Sequence, residues 1–302
     1  MTPLDDFPDP PELTDEDPRD ETPAATTAIG VQPDVSHESY HRRQIGVASK
    51  SALDKIARSP AHYKAWIDGH DTPQTPAMAF GSAFDMALLD PDLFARRYAV
   101  MPSFDEYRDK AGRLSTNAGK EAKATWLASH RGVRFLDPSD MRLIEAMVAA
   151  VRLDSLASKL VVGGVSQLTV RWHDEDTGLE CKGRTDYYIE RLGLIVDVKT
   201  SDDASPGGFP RSCAKYGYHR QAAFYEDGLR AAGKFVEHFV FLAIEKEPPY
   251  AIGIYTLDAD AISKGRESIA RDMRTLATCL ERGTWPAYGD RIQTLSLPKW
   301  AA

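Results

Sequence analysis

Eighteen residues, Gly183 to Thr200, constrain this chain more than any other part of it. Gly183-Arg184-Thr185-Asp186 precedes an apolar run, Leu192 to Val196, that ends in Asp197-Val198-Lys199. Such a run reads as a strand from the middle of a sheet. Alternation puts Glu180, Lys182, Arg184 and Asp186 on one face of the preceding strand, and Asp197 and Lys199 on one face of this one. Polar groups on a central strand are costly unless they bind something. Two carboxylates one hairpin apart, brought to the same end of a twisted sheet beside an ammonium group, suit a hard divalent cation and phosphodiester cleavage. An internal Asp–Lys or Asp–Arg salt-bridge network explains the same residues and, on these alone, is the commoner arrangement.

The surrounding pattern sets the fold class. Leu53, Ile56 and Ala57 recur at helical spacing after Ser49; Ser59-Pro60 ends that helix and starts another through Tyr63 and Trp66. Further helices are expected at Met78 to Leu89, stopped by Asp90-Pro91, at Ser115 to His130 and at Pro138 to Val151. After Gly163-Gly164 the period becomes that of strands. Val165 to Trp172 and Leu179 to Ile189 flank a hairpin turn at Asp174 to Gly178, and a third strand covers Leu192 to Lys199. A helix over Tyr218 to Ala232, strands at Val236 to Ile244 and Ile252 to Leu257, and a long helix from Ala259 to Arg282 complete the order. This predicts an α/β sandwich around one mixed sheet, with a helical N-terminal part.

Residues 1 to 23 hold nine acids against Arg19, and six prolines lie between Pro3 and Pro23. A segment of that composition buries too little apolar area to offset ordering entropy, so 1–35 is expected to be a disordered tail. The folded domain is expected over 36–285, with a C-terminal tail over 286–302. Without the first 23 residues the chain holds 36 acids and 36 bases, although its net charge is −8. A neutral average still permits a local basic channel for phosphates, but not indiscriminate coating of DNA. Apolar stretches such as Phe239 to Ile244 are far too short to span a membrane, and the first residues lack signal-peptide order, so a cytoplasmic location away from membranes is expected. Cys181, Cys213 and Cys279 lack the spacing of a disulfide framework, a zinc site or an iron-sulfur cluster. Gly119-Lys120 continues into Glu121 and is no phosphate loop.

The helix after the third strand carries Gln221 and Tyr225, one turn apart on one face, behind the basic and aromatic group Lys215, Tyr216, Tyr218, His219 and Arg220. Such residues can hold a nucleic-acid backbone and stack on a base beside a metal. An amphipathic helix packing Phe224 and Tyr225 on the sheet explains them as well.

In this order, Gly183-x-x-Asp186, Asp197-Val198-Lys199 and Gln221-x-x-x-Tyr225 resemble the motif set of the RecB-like branch of the PD-(D/E)xK nucleases. Ser49-x-Ser51-x-Leu53, Ser59-Pro60-x-His62-Tyr63 and Phe80-Gly81-Ser82-Ala83 narrow the resemblance to the RecE-like (exonuclease VIII) nuclease domains, over about Val47 to Leu257. The resemblance implies a restriction-endonuclease-like sandwich, a central mixed sheet flanked by helices. It implies a Mg²⁺-dependent exonuclease on linear double-stranded DNA ends, with Mn²⁺ as a substitute, 5′-to-3′ polarity, a homo-oligomer and a RecT-like single-strand annealing partner. Asp186 and Asp197 would hold the metal with the Val198 carbonyl, Lys199 would serve the attacking water, and Gln221, Tyr225, Tyr218, Arg220, Arg184 and Ser82 would contact DNA. There is one departure: the family commonly has His where this chain has Asp85, a further metal ligand by position. A restriction-type or structure-specific endonuclease, and a catalytically silent DNA-binding module, stay open.

Overall fold

The computed structural model describes residues 28–32, 35–70, 74–109, 112–289 and 291–297. Residues 1–27, most of the expected tail, lie outside the described residues, as do 298–302. The last part of that tail is not a coil. Gly30–Gln32 forms an edge strand, β1, with Val31 packed on the core and Gln32 buried. Val31 supplies apolar area of the kind in which the composition of the acidic segment is poor.

Helices dominate as far as residue 160, and short polar side chains followed by proline set many of their ends. Ser36 caps α1 (His37–His41), which leads to the two-residue strand β2 (Val47–Ala48). Ser49 accepts from the Ala52 N–H to start α2 (Lys50–Arg58), and Ser59 ends α2 and caps α3 (Pro60–Ile67). Thr75 caps α4 (Pro76–Leu89); Asp90 ends it and caps α5 (Pro91–Arg97). Asp90-Pro91, expected only as a stop, therefore also begins a helix. Each cap oxygen satisfies an N–H that has no partner within its helix, and proline in the first turn forfeits no helical bond. Strand β3 (Tyr98–Val100), α6 (Asn117–Ser129), β4 (Arg134–Leu136), α7 (Pro138–Leu153) and α8 (Ala157–Leu160) follow.

The later strands are β5 (Val165–Ser166), β6 (Thr169–His173), β7 (Glu180–Arg184), β8 (Tyr187–Ile189), β9 (Leu194–Ser201), β10 (His238–Glu245) and β11 (Ile252–Tyr255). Among the described residues one sheet runs β1-β6-β7-β2, another β11-β10-β9-β8-β5, and β3 pairs with β4. The single sheet expected around the hairpin is thus two, and the expected strand Leu179 to Ile189 is divided between them. The cause is local. β5–β6 and β7–β8 make one long antiparallel hairpin that bends where Gln167 takes a positive φ of 54°. Across the bend the Gln167 N–H donates to Asp186 O and the Thr185 N–H to Leu168 O, both at 3.0 Å. Asp186 therefore sits at the corner. Continuing the antiparallel register Tyr187↔Val196 by one residue brings it opposite Asp197.

Strands β9 and β10 run parallel, joined by a crossover through α9 (Phe209–Tyr216) and α10 (Tyr218–Ala231). Both strands are buried on both faces. Ile195, Phe239 and Phe241 join a core with Leu53 of α2, Phe224 of α10 and Met273 of α11 (Ala259–Arg282). Val196, Val198, Val240 and Leu242 join a second core with Phe84 of α4 and Met147 of α7. A mixed five-stranded sheet thus lies between two helical layers, as the α/β sandwich requires.

Candidate active site

Asp197 and Lys199 share one face of β9, and the bent hairpin carries Asp186 to the same place. Asp186 Oδ2 accepts from the Val198 N–H at 3.0 Å, so the strand backbone fixes one carboxylate beside the other. Asp197 is 1% exposed. Its Oδ1 accepts from Gln221 Nε2 at 2.6 Å, and its Oδ2 forms an ion pair with the Lys199 ammonium without hydrogen-bond geometry. Asp85, on α4, faces the same cluster and feels the charges of Asp186, Lys199 and Asp197.

Three clustered carboxylates around one ammonium, Asp197 buried and Asp186 and Asp85 half-buried, leave two negative charges uncompensated when all are ionised. This crowding raises the carboxyl pKa values. Burial, then the Asp197 charge, pushes Asp186 up to about 7. Burial, then the Asp186 charge, raises Asp85 well above the usual carboxylate range. Burial works against the Lys199 ammonium, but the Asp197 and Asp186 charges outweigh it and hold its pKa above the ordinary lysine value. Hard oxygens with a deficit of two charges fit a divalent cation of the Mg²⁺ or Mn²⁺ type. In this protein-only arrangement Lys199, Gln221 and the Val198 N–H hold carboxylate oxygens that such a cation would claim, and among the described residues no ready-made cluster of three His, Cys, Asp or Glu ligands stands open.

Glycines bring the flanking helices in. A Cβ on Gly183 would lie 3.3 Å from Tyr225 Cδ1 and 3.5 Å from Trp172, so its absence lets α10 lie against β7. Gly81 lies close to the end of β9, although its Cβ would meet Thr200 Oγ1 only at an ordinary contact distance of 3.7 Å. Ser82 is three residues before Asp85 and therefore on the same side of α4; its hydroxyl donates to the Met78 carbonyl at 3.0 Å. The Tyr218 ring lies 5.0 Å from Lys199 Nζ. Gln221, Tyr218 and Tyr225 are thus gathered at the cluster.

Two arginines expected to meet DNA are committed elsewhere. Arg184 is buried; it donates to Thr169 Oγ1 at 2.8 Å and to the Val35 carbonyl at 2.7 Å, with the Tyr40 ring 4.2 Å away. Lys182 on the same strand donates to the carbonyls of Tyr40 and Arg42 at 2.6 and 2.8 Å. Arg220 is buried between α10 and α11, paired with Asp272 at 2.6 Å. All three are spent on packing. They also reveal a residue that the sequence does not single out. Tyr40, held over β7 by these cations, shares a hydrogen bond with the Tyr225 hydroxyl and feels the Asp186 charge. Nothing local in Ser36-His37-Glu38-Ser39-Tyr40 announces that contact, because its partners lie some 140 residues away.

A hairpin that bends to deliver one carboxylate beside an Asp-x-Lys strand defines the PD-(D/E)xK class of site. Residues 49–298 match the family described as a PDDEXK-like domain of unknown function (DUF3799), and the chain belongs to that family. The crystal structure of an Eubacterium rectale protein, provisionally called an exonuclease, is similar with a TM-score of 0.58 at 16% identity, over 87% of this chain and 96% of the other. A phage-related exonuclease of Haemophilus somnus gives a TM-score of 0.32 at 15% identity, over 79% and 96%. At these identities the first likeness is one of fold, and the second is too slight to add to it. No curated protein matches the sequence significantly. Among the described residues no helix is long and apolar enough to cross a membrane.

Proposed function

We propose that this protein is a Mg²⁺-dependent exodeoxyribonuclease that degrades linear double-stranded DNA, with Mn²⁺ able to substitute. One observation carries the reading: three clustered carboxylates, one of them buried, with a single lysine, two charges short of balance when all are ionised, at the end of β9. The DNA would be resected 5′ to 3′, by a homo-oligomer in the cytoplasm, to load a RecT-like annealing partner. Those finer features rest on the resemblance alone.

Asp186 and Asp197 would hold the cation, with Asp85 and the Val198 carbonyl as further oxygens. When bound, it would polarise the scissile phosphate and acidify water. Lys199 would orient the attacking water and neutralise charge on the phosphorane oxygens. Gln221 would donate to a phosphate oxygen. Tyr225 and Tyr40, joined by their hydrogen bond, would close the site on the β7 side and help to keep the Asp186 carboxylate in place.

Cleavage of linear, nicked and covalently closed duplex in Mg²⁺, Mn²⁺ and EDTA tests the reading. Degradation of the linear substrate alone, abolished by EDTA, is expected. Cleavage of closed circles would make the protein an endonuclease, and DNA binding without metal-dependent turnover would make it a silent member of the fold.

A further inference from the structure

We infer that Tyr216 is a stacking platform for a nucleobase of the DNA strand that enters the active site, with Lys215 serving the adjoining phosphate and Lys50 holding the platform in place. This rests on the nuclease reading and extends it to a subsite. Tyr216 ends α9, Tyr218 begins α10, and Gly217 between them takes the left-handed conformation (φ 65°) that joins two helices without a spacer. The sharp join lays the two rings side by side, with centroids 5.7 Å apart and planes 28° from parallel. Tyr218 is packed inward against Phe241 and lies beside Lys199. Tyr216, by contrast, is 51% exposed. The two rings therefore form a staircase from solvent to the lysine at the reacting end of β9.

An aromatic ring left half in water is a poor core residue and a good surface for another π-system. Its setting is fixed before any ligand arrives. The Tyr216 carbonyl accepts from Lys50 Nζ at 3.1 Å, and Lys50 also pairs with Asp54 at 2.7 Å, tying the end of α9 to α2. The Lys215 ammonium lies 5.0 Å from the centre of the Tyr216 ring. That exposed, flexible cation can swing to a phosphate when a base takes its place over the ring. A π-face with an ammonium group beside it matches the alternation of base and phosphate in a nucleic-acid strand, and it serves any base, because each has such a face. Steps of 5.0 and 5.7 Å from Lys199 to Tyr216 allow the stacked base to lie up to about three nucleotides from the scissile phosphate, at roughly 3.4 Å per nucleotide along a strand.

The test is cleavage of a short linear duplex by the full chain in Mg²⁺, with a single abasic unit moved one position at a time through the strand being cut. Tyr216→Ala should raise KM about tenfold and leave kcat within a factor of two, the mark of binding shared by ground and transition states. Tyr216→Trp and Tyr216→Phe should keep or lower KM. One abasic position, up to about three nucleotides from the cut, should cost wild type the same tenfold and cost Tyr216→Ala nothing further. Unchanged KM in Tyr216→Ala, or equal abasic penalties in both proteins at every position, would overturn the subsite while wild-type cleavage left the nuclease reading standing. If wild type cleaves no duplex in Mg²⁺ or Mn²⁺, both fall. Melting temperatures of the Ala and Trp variants equal to wild type show that the kinetics report on binding; a large drop for both would make Tyr216 a packing residue and end the proposal.

Discussion

Strands β7 and β9, in different sheets, each bury charged side chains, and the contrast between them separates packing from chemistry. On β7, Lys182 and Arg184 are cations in a hydrogen-bonded setting: the carbonyls of Val35, Tyr40 and Arg42 and the hydroxyl of Thr169 accept from them. Burial, followed by the Arg171 and Arg184 charges, pushes Lys182 down to about 8, but it still has its acceptors. On β9, at the corner before β8 and on α4, Asp197, Asp186 and Asp85 crowd around Lys199 with too little positive charge among them. A buried polar group with its partners in place holds a fold together. A buried group that destabilises its neighbours needs something the polypeptide does not supply.

Removing the acids should have the largest effect on activity. Asp197→Ala and Asp186→Ala should each lower cleavage more than about a thousandfold, as expected for loss of the charge that holds a catalytic cation, while the metal-free melting temperature holds or rises because like charges have been separated. Turnover within about tenfold of wild type, about 1.4 kcal/mol of barrier, would contradict the assignment. Lys199→Ala should come next, losing roughly two to four powers of ten in rate while still binding metal. Calorimetry showing that Mg²⁺ affinity collapses, with single-turnover rate unchanged at saturating metal, would give Lys199 a different role.

Arg184→Ala should invert this pattern. Loss of its buried hydrogen bonds should cost about 2–4 kcal/mol of stability, yet leave KM for DNA unchanged well below the melting temperature. If denaturant melts match wild type while KM rises, Arg184 contacts DNA and the two strands are alike. The subtlest test is Asp85→His, which exchanges a hard oxygen for an imidazole and should keep cleavage while shifting preference toward Mn²⁺. Identical rates and metal ratios in wild type, Asp85→His and Asp85→Ala would remove Asp85 from the site.

The same contrast explains what was legible in the sequence. Asp197-Val198-Lys199 stands out because it interrupts an apolar strand, and α11 because it carries an Asp258 cap, a sustained helical period and Gly283 at its end. Asp186 was recognisable as a carboxylate but its corner was not, since the bend depends on Gln167, a residue with no turn signature. Lys182 and Arg184 looked like ligand-binding groups because their acceptors belong to the segment around α1, whose five residues carry no strong period of their own. Alternation predicts which face a side chain takes; it does not say which distant backbone waits there. Helix α9, only eight residues long, is too short for a helical period to announce it.

The most direct test of the account is the melting temperature of the full chain against pH, with and without Mg²⁺. In metal-free protein Asp186 has its pKa raised from an ordinary 3.8 to about 7. The stability gained from its protonated form is therefore fully present below about 3.9, the unfolded value, and is lost as pH rises through about 7. Metal-free protein should accordingly melt lower at pH 8 than at pH 5.5, and Mg²⁺ should restore the loss at pH 8 while doing little at pH 5.5, where protons compete for the same oxygens. Asp186→Asn should flatten the metal-free pH dependence, and Asp197→Ala should abolish the response to Mg²⁺. A melting temperature indifferent to Mg²⁺ and Mn²⁺ at pH 8, or a response that survives unchanged in Asp197→Ala, would contradict the claim that this acidic cluster is built for a divalent cation.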